Sequence, residues 1–225
     1  MYPVVPGTLE PGAALRAGRS SGAVPSHSQR PLGSPVLDEL ELKAVVPDPD
    51  ALRARLLGAG AEPGFRGRMW DRRFDRNGEL SARDEVLRIR SFQGEDGTRK
   101  MVIGWKGPVG RSPEGYKLRQ EIELPVAAGA GSPEELLVAL GYQVVYAVDR
   151  EVEIFRLGSA TLRLERYPRM DPLLEVEGEP AAMERALAAT GLPREAFTAD
   201  SLIEFVRRYE LRTGRAAVLA AEAEP

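Results

Sequence analysis

The chain has 225 residues, of which 43% are hydrophobic and 29% are charged, and its formal net charge is -3. This hydrophobic fraction supports a folded core, and the slight net acidity argues against a protein that coats nucleic acid. The absence of cysteine excludes disulfides, zinc–thiolate sites and cysteine nucleophiles. The single histidine, His27, falls in a segment without periodicity, so any metal must be bound by carboxylates, which suit magnesium or manganese.

The chain divides into three parts by composition. Residues 1–36 are rich in proline, glycine and serine, and we predict a disordered tail there. Residues 37–178 carry the predicted folded domain, and residues 179–225 a helical extension with a frayed end. No segment approaches the roughly 20 apolar residues of a membrane span. The N-terminus lacks the basic patch and apolar stretch of a signal peptide. We therefore expect a cytoplasmic protein without membrane contact.

Strands dominate the predicted folded domain. Alternation of apolar and polar residues predicts eight of them, near residues 37–44, 65–75, 86–92, 100–106, 116–125, 143–156, 160–167 and 173–178. Capping residues and helical periodicity predict four helices, near residues 49–58, 133–140, 180–190 and 199–213. The turns between most strands are short, which favours antiparallel pairing.

Charged residues recur at a spacing of two within these strands, so each strand has one charged and one apolar face. The set comprises Glu39, Glu41, Lys43, Arg88, Arg90, Lys106, Arg119, Glu121, Glu123, Arg163, Glu165, Glu175 and Glu177. One interpretation is a sheet whose charged face meets water. The other is a closed barrel whose helices cover the apolar outside while the charges point inward. Arginine dominates the basic set, which favours planar contact with phosphate oxygens and hence the second interpretation.

Charged side chains that line an interior must pair with one another and with bound ions, because burying an unpaired charge is costly. A polyanion bound to the arginines and lysines, with cations bound to the glutamates, meets this requirement. An eight-stranded barrel has room for one small ligand. We therefore predict an α+β fold: a closed antiparallel eight-stranded barrel with covering helices and a helical C-terminal extension.

Several segments in chain order resemble the CYTH superfamily, also called triphosphate tunnel metalloenzymes. The segment Glu39-Leu40-Glu41-Leu42-Lys43 matches its Glu-x-Glu-x-Lys signature. Further matches are Trp70-Asp71-Arg72-Arg73-Phe74, Leu87-Arg88-Ile89-Arg90, Trp105-Lys106-Gly107-Pro108, Arg119-Gln120-Glu121-Ile122-Glu123 and Leu174-Glu175-Val176-Glu177. The chain departs from the family in two strands. Family members usually have several basic residues near the sixth strand, where this chain has Arg150 as the one obvious cation, and an aspartate on the seventh, where it has Glu165. A Pro168–Pro172 segment also replaces a glycine-bearing turn.

The resemblance implies roles for individual residues. Metal ions, Mg²⁺ or Mn²⁺, would be bound by Glu39, Glu41, Glu175 and Glu177, with Glu123 and Glu165 in support. Substrate phosphates would be bound by Lys43, Arg88, Arg90, Lys106, Arg119, Arg150 and Arg163. Of these, Lys43, Arg119 and Arg163 would act in catalysis. For Lys43, activation of a nucleophile and simple phosphate binding both remain open.

The resemblance implies an enzyme that acts on a triphosphate-containing small molecule, as a monomer or homodimer and without nucleic acid. The leading expectation is hydrolysis of inorganic triphosphate, thiamine triphosphate or a nucleoside triphosphate. One alternative is class IV adenylyl cyclase chemistry, which converts ATP to cyclic AMP and pyrophosphate. Another is a polyphosphate- or nucleotide-binding module without turnover. Trp70 and Trp105 either stack on a substrate ring or pack as ordinary structural residues.

Overall fold

A computed structural model describes residues 37–113, 115–127, 129 and 131–220. The predicted tail, residues 1–36, and the last five residues of the predicted frayed end, 221–225, lie outside this part. The described strands are β1 (Leu37–Val45), β2 (Glu62–Asp75), β3 (Val86–Gly94), β4 (Arg99–Arg111), β5 (Lys117–Pro125), β6 (Gln143–Leu157), β7 (Ala160–Arg166) and β8 (Leu173–Glu177).

These strands form one closed barrel in the order β1-β5-β4-β3-β2-β6-β7-β8. Every neighbouring pair is antiparallel. The predicted fold class is therefore confirmed. Closure depends on β1, whose first half pairs with β5 from Leu37 to Glu41 and whose second half pairs with β8 from Glu41 to Val45. Glu41 lies at the junction of these two pairings.

Four helices accompany the barrel: α1 (Pro49–Gly58), α2 (Pro133–Ala139), α3 (Pro180–Thr190) and α4 (Leu202–Thr213). The predicted caps form at two of them. The Asp48 side chain accepts hydrogen bonds from the backbone of Asp50 and Ala51, and Ser132 accepts one from Glu135. These bonds satisfy amide groups that the first turn of a helix leaves unpaired. No described helix is both long and apolar enough to cross a membrane.

α4 begins three residues later than predicted. Thr198 instead pairs with Lys43 on β1, where the Lys43 amide donates to the Thr198 carbonyl at 2.8 Å. The chain from Thr198 is therefore held extended beside β1 and turns helical only at Leu202. The sequence pattern could not indicate this, because the pairing joins segments about 150 residues apart.

The main hydrophobic core lies outside the barrel, between its wall and the helices. Residues from β1, β7 and β8 pack against α1 and α3; they include Leu42, Ala44, Leu52, Leu56, Leu162, Leu174, Val176 and Met183. A smaller cluster joins Leu137 of α2 to Phe74 and Ile89. Because the apolar faces of the strands are covered by helices, the opposite faces are left to enclose the interior of the barrel.

The C-terminal segment packs beside the start of β8. Phe205 of α4 is buried against Met170 and Leu173, and the chain then returns so that Val218 pairs with Arg169. Both Arg169 and Met170 belong to the proline-flanked segment Pro168–Pro172. In this chain that segment provides the attachment for the C-terminal residues up to position 220.

Candidate functional site

The charged residues of the strands face the lumen of the barrel. On β1, Leu42 packs in the outer core, whereas its neighbours Glu41 and Lys43 are 5% and 7% exposed and contact other charged side chains. The same alternation places Arg88 and Arg90 inside and Ile89 outside. The interpretation in which these charges meet bulk water is therefore wrong. The helices cover the apolar faces of β1, β7 and β8, and the sheet closes on itself, so these charges are enclosed.

Three carboxylates meet where β1 and β8 pair. One oxygen each of Glu41, Glu175 and Glu177 lies within 4.8 Å of the others, and we call this group the glutamate triad. Lys43 lies between two members, with Nζ 2.8 Å from Glu41 Oε1 and 2.6 Å from Glu175 Oε2. The triad therefore brings together three of the six predicted metal ligands.

Two further cations neutralise the triad. Arg163 of β7 contacts Glu175 and lies 2.9 Å from Glu177, while Lys117 of β5 contacts Glu41. Burial raises the pKa of Glu41, but attraction by Lys43 and Lys117 outweighs this and holds that pKa well below its usual range. Glu41 is therefore ionised at neutral pH.

A second cluster centres on Asp71 of β2. Arg90 binds it through two hydrogen bonds of 2.7 and 3.0 Å, and Arg150 adds a third at 3.0 Å. Burial raises the pKa of Asp71, but Arg90 and Arg150 attract its charge and lower that pKa well below the usual value. This cluster fixes two predicted phosphate ligands in the wall of the lumen through paired, charge-assisted bonds.

The Asp71 cluster extends to Glu165 of β7. Arg150 lies 2.9 Å and Arg163 3.1 Å from Glu165 Oε1, and the Tyr167 hydroxyl donates to the other oxygen. Glu165, a predicted supporting metal ligand, is thus bound by two arginines and a tyrosine, outside the triad. Burial and the nearby Glu165 charge raise the pKa of Tyr167 well above its ordinary value, so this tyrosine remains a donor.

A third cluster lies on β3, β4 and β5. Arg88 contacts Glu121 at 2.7 Å and Glu123 at 2.8 Å, and Lys106 contacts Glu121 at 2.7 Å. Glu123, also a predicted supporting metal ligand, is thus paired with Arg88 and lies outside the triad. Arg88 Nε is buried and has no hydrogen-bond partner within the described residues. It is a donor that a ligand oxygen could satisfy.

A glycine lies beside Arg88. Gly104 is directly opposite Arg88 across β3 and β4. A Cβ added there would stand 3.6 Å from Arg88 Nε and 3.5 Å from Glu123 Cγ, which is ordinary van der Waals contact. Any side chain larger than alanine at position 104 would therefore extend over the Arg88–Glu123 pair.

The remaining predicted residues lie apart from these clusters. Arg119 donates to the carbonyl oxygens of Gly107 and Asp84 and lies 3.5 Å from the Asp84 carboxylate. Glu39 pairs through its backbone with Arg119, and its side chain falls outside what the structure describes. Trp105 alternates with the inward-facing Lys106 and so lies on the outer face.

Two lumen residues had no role in the sequence-based assignment. Lys117 stands two positions before Arg119, so the two-residue spacing could have identified it. Burial and repulsion by Lys43 lower its pKa to about 8, against the opposing attraction of Glu41. Asp71 belongs to the matched segment on β2, but it begins a run of three charged residues, Asp71-Arg72-Arg73, which obscures the alternation there. Its partners Arg90 and Arg150 could be known only from the folded barrel.

The glutamate triad fits a small divalent cation. Its donors are all carboxylate oxygens, which magnesium and manganese prefer. Their spacing of up to 4.8 Å lets them converge on one ion with only slight side-chain movement. The fold and the site together define a barrel with a charged lumen that combines an acidic cation site with inward-facing arginines and lysines.

Comparison with known proteins identifies relatives of the fold through structure and not through sequence. No family model matches the chain, and no curated protein sequence matches it significantly. The PH1819 protein from Pyrococcus horikoshii OT3 is 24% identical, with a TM-score of 0.61, and the match covers 76% of this chain and 98% of that one. A protein from Vibrio parahaemolyticus, described as a proposed adenylate cyclase, is 20% identical with a TM-score of 0.60 over the same shares.

A third structure adds a described activity. HpAC1 from Hippeastrum, a proposed adenylyl cyclase described as having a dominant triphosphatase activity, is 16% identical with a TM-score of 0.53. The match covers 83% of this chain and 100% of HpAC1. At these identities the shared property is the fold. The barrel fold that the motifs' resemblance implies is therefore confirmed.

Proposed function

We propose that this chain is a divalent-metal-dependent phosphohydrolase that acts on a triphosphate inside its barrel. The substrate would be inorganic triphosphate, thiamine triphosphate or a nucleoside triphosphate. The observation that carries the proposal is the glutamate triad on β1 and β8, facing the same lumen as Arg88 on β3 and Lys106 on β4. A triphosphate with bound cations offers complementary charge to both sets.

Each group of residues has a chemical role in this proposal. Glu41, Glu175 and Glu177 would hold Mg²⁺ or Mn²⁺, which would supply Lewis-acid stabilisation of the charge that develops during hydrolysis. Arg88 supplies a buried N–H without a partner among the described residues, which supports an anionic ligand beside it. Lys43 lies between two carboxylates, and this position supports phosphate binding more than activation of a nucleophile.

Hydrolysis is favoured over cyclisation by two observations. HpAC1, which shares the fold, is described as having a dominant triphosphatase activity. Trp105 lies on the outer face and Trp70 lines surface clefts, so neither tryptophan supports a nucleobase site within the lumen. The proposal also includes a cytoplasmic location and a monomeric or dimeric state. The net charge of -3 supports a small-molecule substrate over nucleic acid.

A substrate panel tests the proposed function. The full chain is incubated with inorganic triphosphate, thiamine triphosphate or ATP and with Mg²⁺ or Mn²⁺, and phosphate, pyrophosphate and cyclic AMP are quantified. We expect metal-dependent phosphate release from at least one substrate, and loss of that release when a chelator is added. Cyclic AMP and pyrophosphate from ATP, without phosphate, would establish the cyclase instead. Metal-dependent binding without any product would establish a binding module.

A further inference from the structure

Each member of the glutamate triad is already bound to a cation from the protein. Glu41 Oε1 is shared by Lys43 and Lys117. Glu175 binds Lys43 through one oxygen and Arg163 through the other, and Arg163 also binds Glu177. The carboxylates that would bind a metal ion are therefore the same carboxylates that the lysines and the arginine now bind.

The charges of this group balance. The three carboxylates of the triad face three cations, Lys43, Lys117 and Arg163, and all six side chains are largely buried. A divalent ion that entered alone would leave two positive charges without compensation in a poorly solvated site, which is costly. It would also compete with two ammonium groups for the charge of Glu41. An anion that enters with the metal removes both obstacles, because it compensates the charge and accepts one of those ammonium groups.

We propose that Lys117 makes metal binding depend on the polyphosphate: it occupies Glu41 in the free protein and moves to a phosphate oxygen when metal and anion enter together. Lys117 suits this task better than Lys43, because its one described carboxylate partner is Glu41, whereas Lys43 is also anchored by Glu175. This inference rests on the proposed function. Because such coupling is reciprocal, the polyphosphate must also bind more tightly in the presence of the metal.

Manganese binding measured by electron paramagnetic resonance tests the inference without reference to turnover. Mn²⁺ is titrated into the full chain in phosphate-free buffer, alone and with imidotriphosphate, whose P–N–P bridges resist hydrolysis. For the wild type we expect the Mn²⁺ affinity to rise at least about tenfold with the analogue, since typical couplings between sites are of this size. Lys117→Met should raise the affinity for Mn²⁺ alone by about tenfold, because a nearby positive charge is removed, and should reduce the gain from the analogue.

The chain supplies matched controls. Lys100 is exposed near the start of β4, where its ammonium lies over the Phe92 ring and not against the triad, and Lys100→Met should leave Mn²⁺ binding unchanged. Lys117→Arg keeps the charge and should retain the coupling. Equal Mn²⁺ affinity in the wild type with and without the analogue would overturn the inference and leave the proposed function standing. Failure to bind Mn²⁺ even with the analogue would overturn the proposed function itself.

Discussion

Glu177→Gln should lower the rate of metal-dependent phosphate release by at least about a hundredfold. The substitution preserves shape but removes one of the three charges that the glutamate triad offers to a cation. A catalytic metal contributes several kcal/mol of charge stabilisation, and each 1.36 kcal/mol corresponds to about a tenfold change in rate. The measurement is initial rate against Mg²⁺ or Mn²⁺ concentration with the preferred substrate of the panel.

The control for this variant is Glu151→Gln, because Glu151 is exposed on the same barrel outside the triad. Its rate should equal that of the wild type. Thermal unfolding of both variants separates loss of the site from loss of the fold. If the Glu177→Gln variant is folded and its activity is unchanged, the glutamate triad is not the binding site of the catalytic metal.

Asp71→Asn should lower the free energy of unfolding by about 3 to 5 kcal/mol, the usual cost of removing one partner from a buried ion pair. Arg90 and Arg150 would each lose a charged partner in a cluster whose side chains are 5 to 7% exposed. Denaturant unfolding measures the change. Asp50→Asn is the comparison: its side chain is 92% exposed opposite Arg166, and its loss should cost less than about 1 kcal/mol. Equal costs for the two variants would contradict a buried cluster.

The same carboxylate predicts how stability depends on pH. The pKa of Asp71 is held below its unfolded value of about 3.9. Between the two values the unfolded chain binds more protons than the folded chain, so stability falls as the pH drops below about 4. Asp71→Asn removes this contribution, and its stability should therefore decline less steeply with acid. Parallel declines in wild type and variant would assign the acid sensitivity to other carboxylates.

The sequence predicted the strands and the lumen residues well, because both follow from alternation along single strands. Glu41, Lys43, Arg88 and Arg90 occupy the faces that their spacing indicates. Alternation does not say which face is inside, since a solvated sheet has the same pattern. That choice follows from closure between β1 and β8, which joins residues 128 to 136 positions apart, from Val45↔Leu173 to Glu41↔Glu177.

What alternation could not predict is the sorting of charges into clusters. Glu165 and Glu175 have equivalent spacing on neighbouring strands, yet the first binds Arg150 and Tyr167, whereas the second belongs to the glutamate triad. The difference arises from how β6, β7 and β8 are registered around the barrel, and register is a property of the assembled sheet.

The distribution of lysine has a consequence for chemical modification. The chain has four lysines, and Lys43, Lys106 and Lys117 line the lumen while Lys100 is exposed at the start of β4. Acylation of side-chain amines, whether by a reagent or by a cellular acyl donor, would therefore act first at Lys100, because the three lumen amines are buried and ion-paired. A ligand that filled the lumen would slow labelling of those three amines further and leave Lys100 unchanged, so the ratio of the two rates would report occupancy.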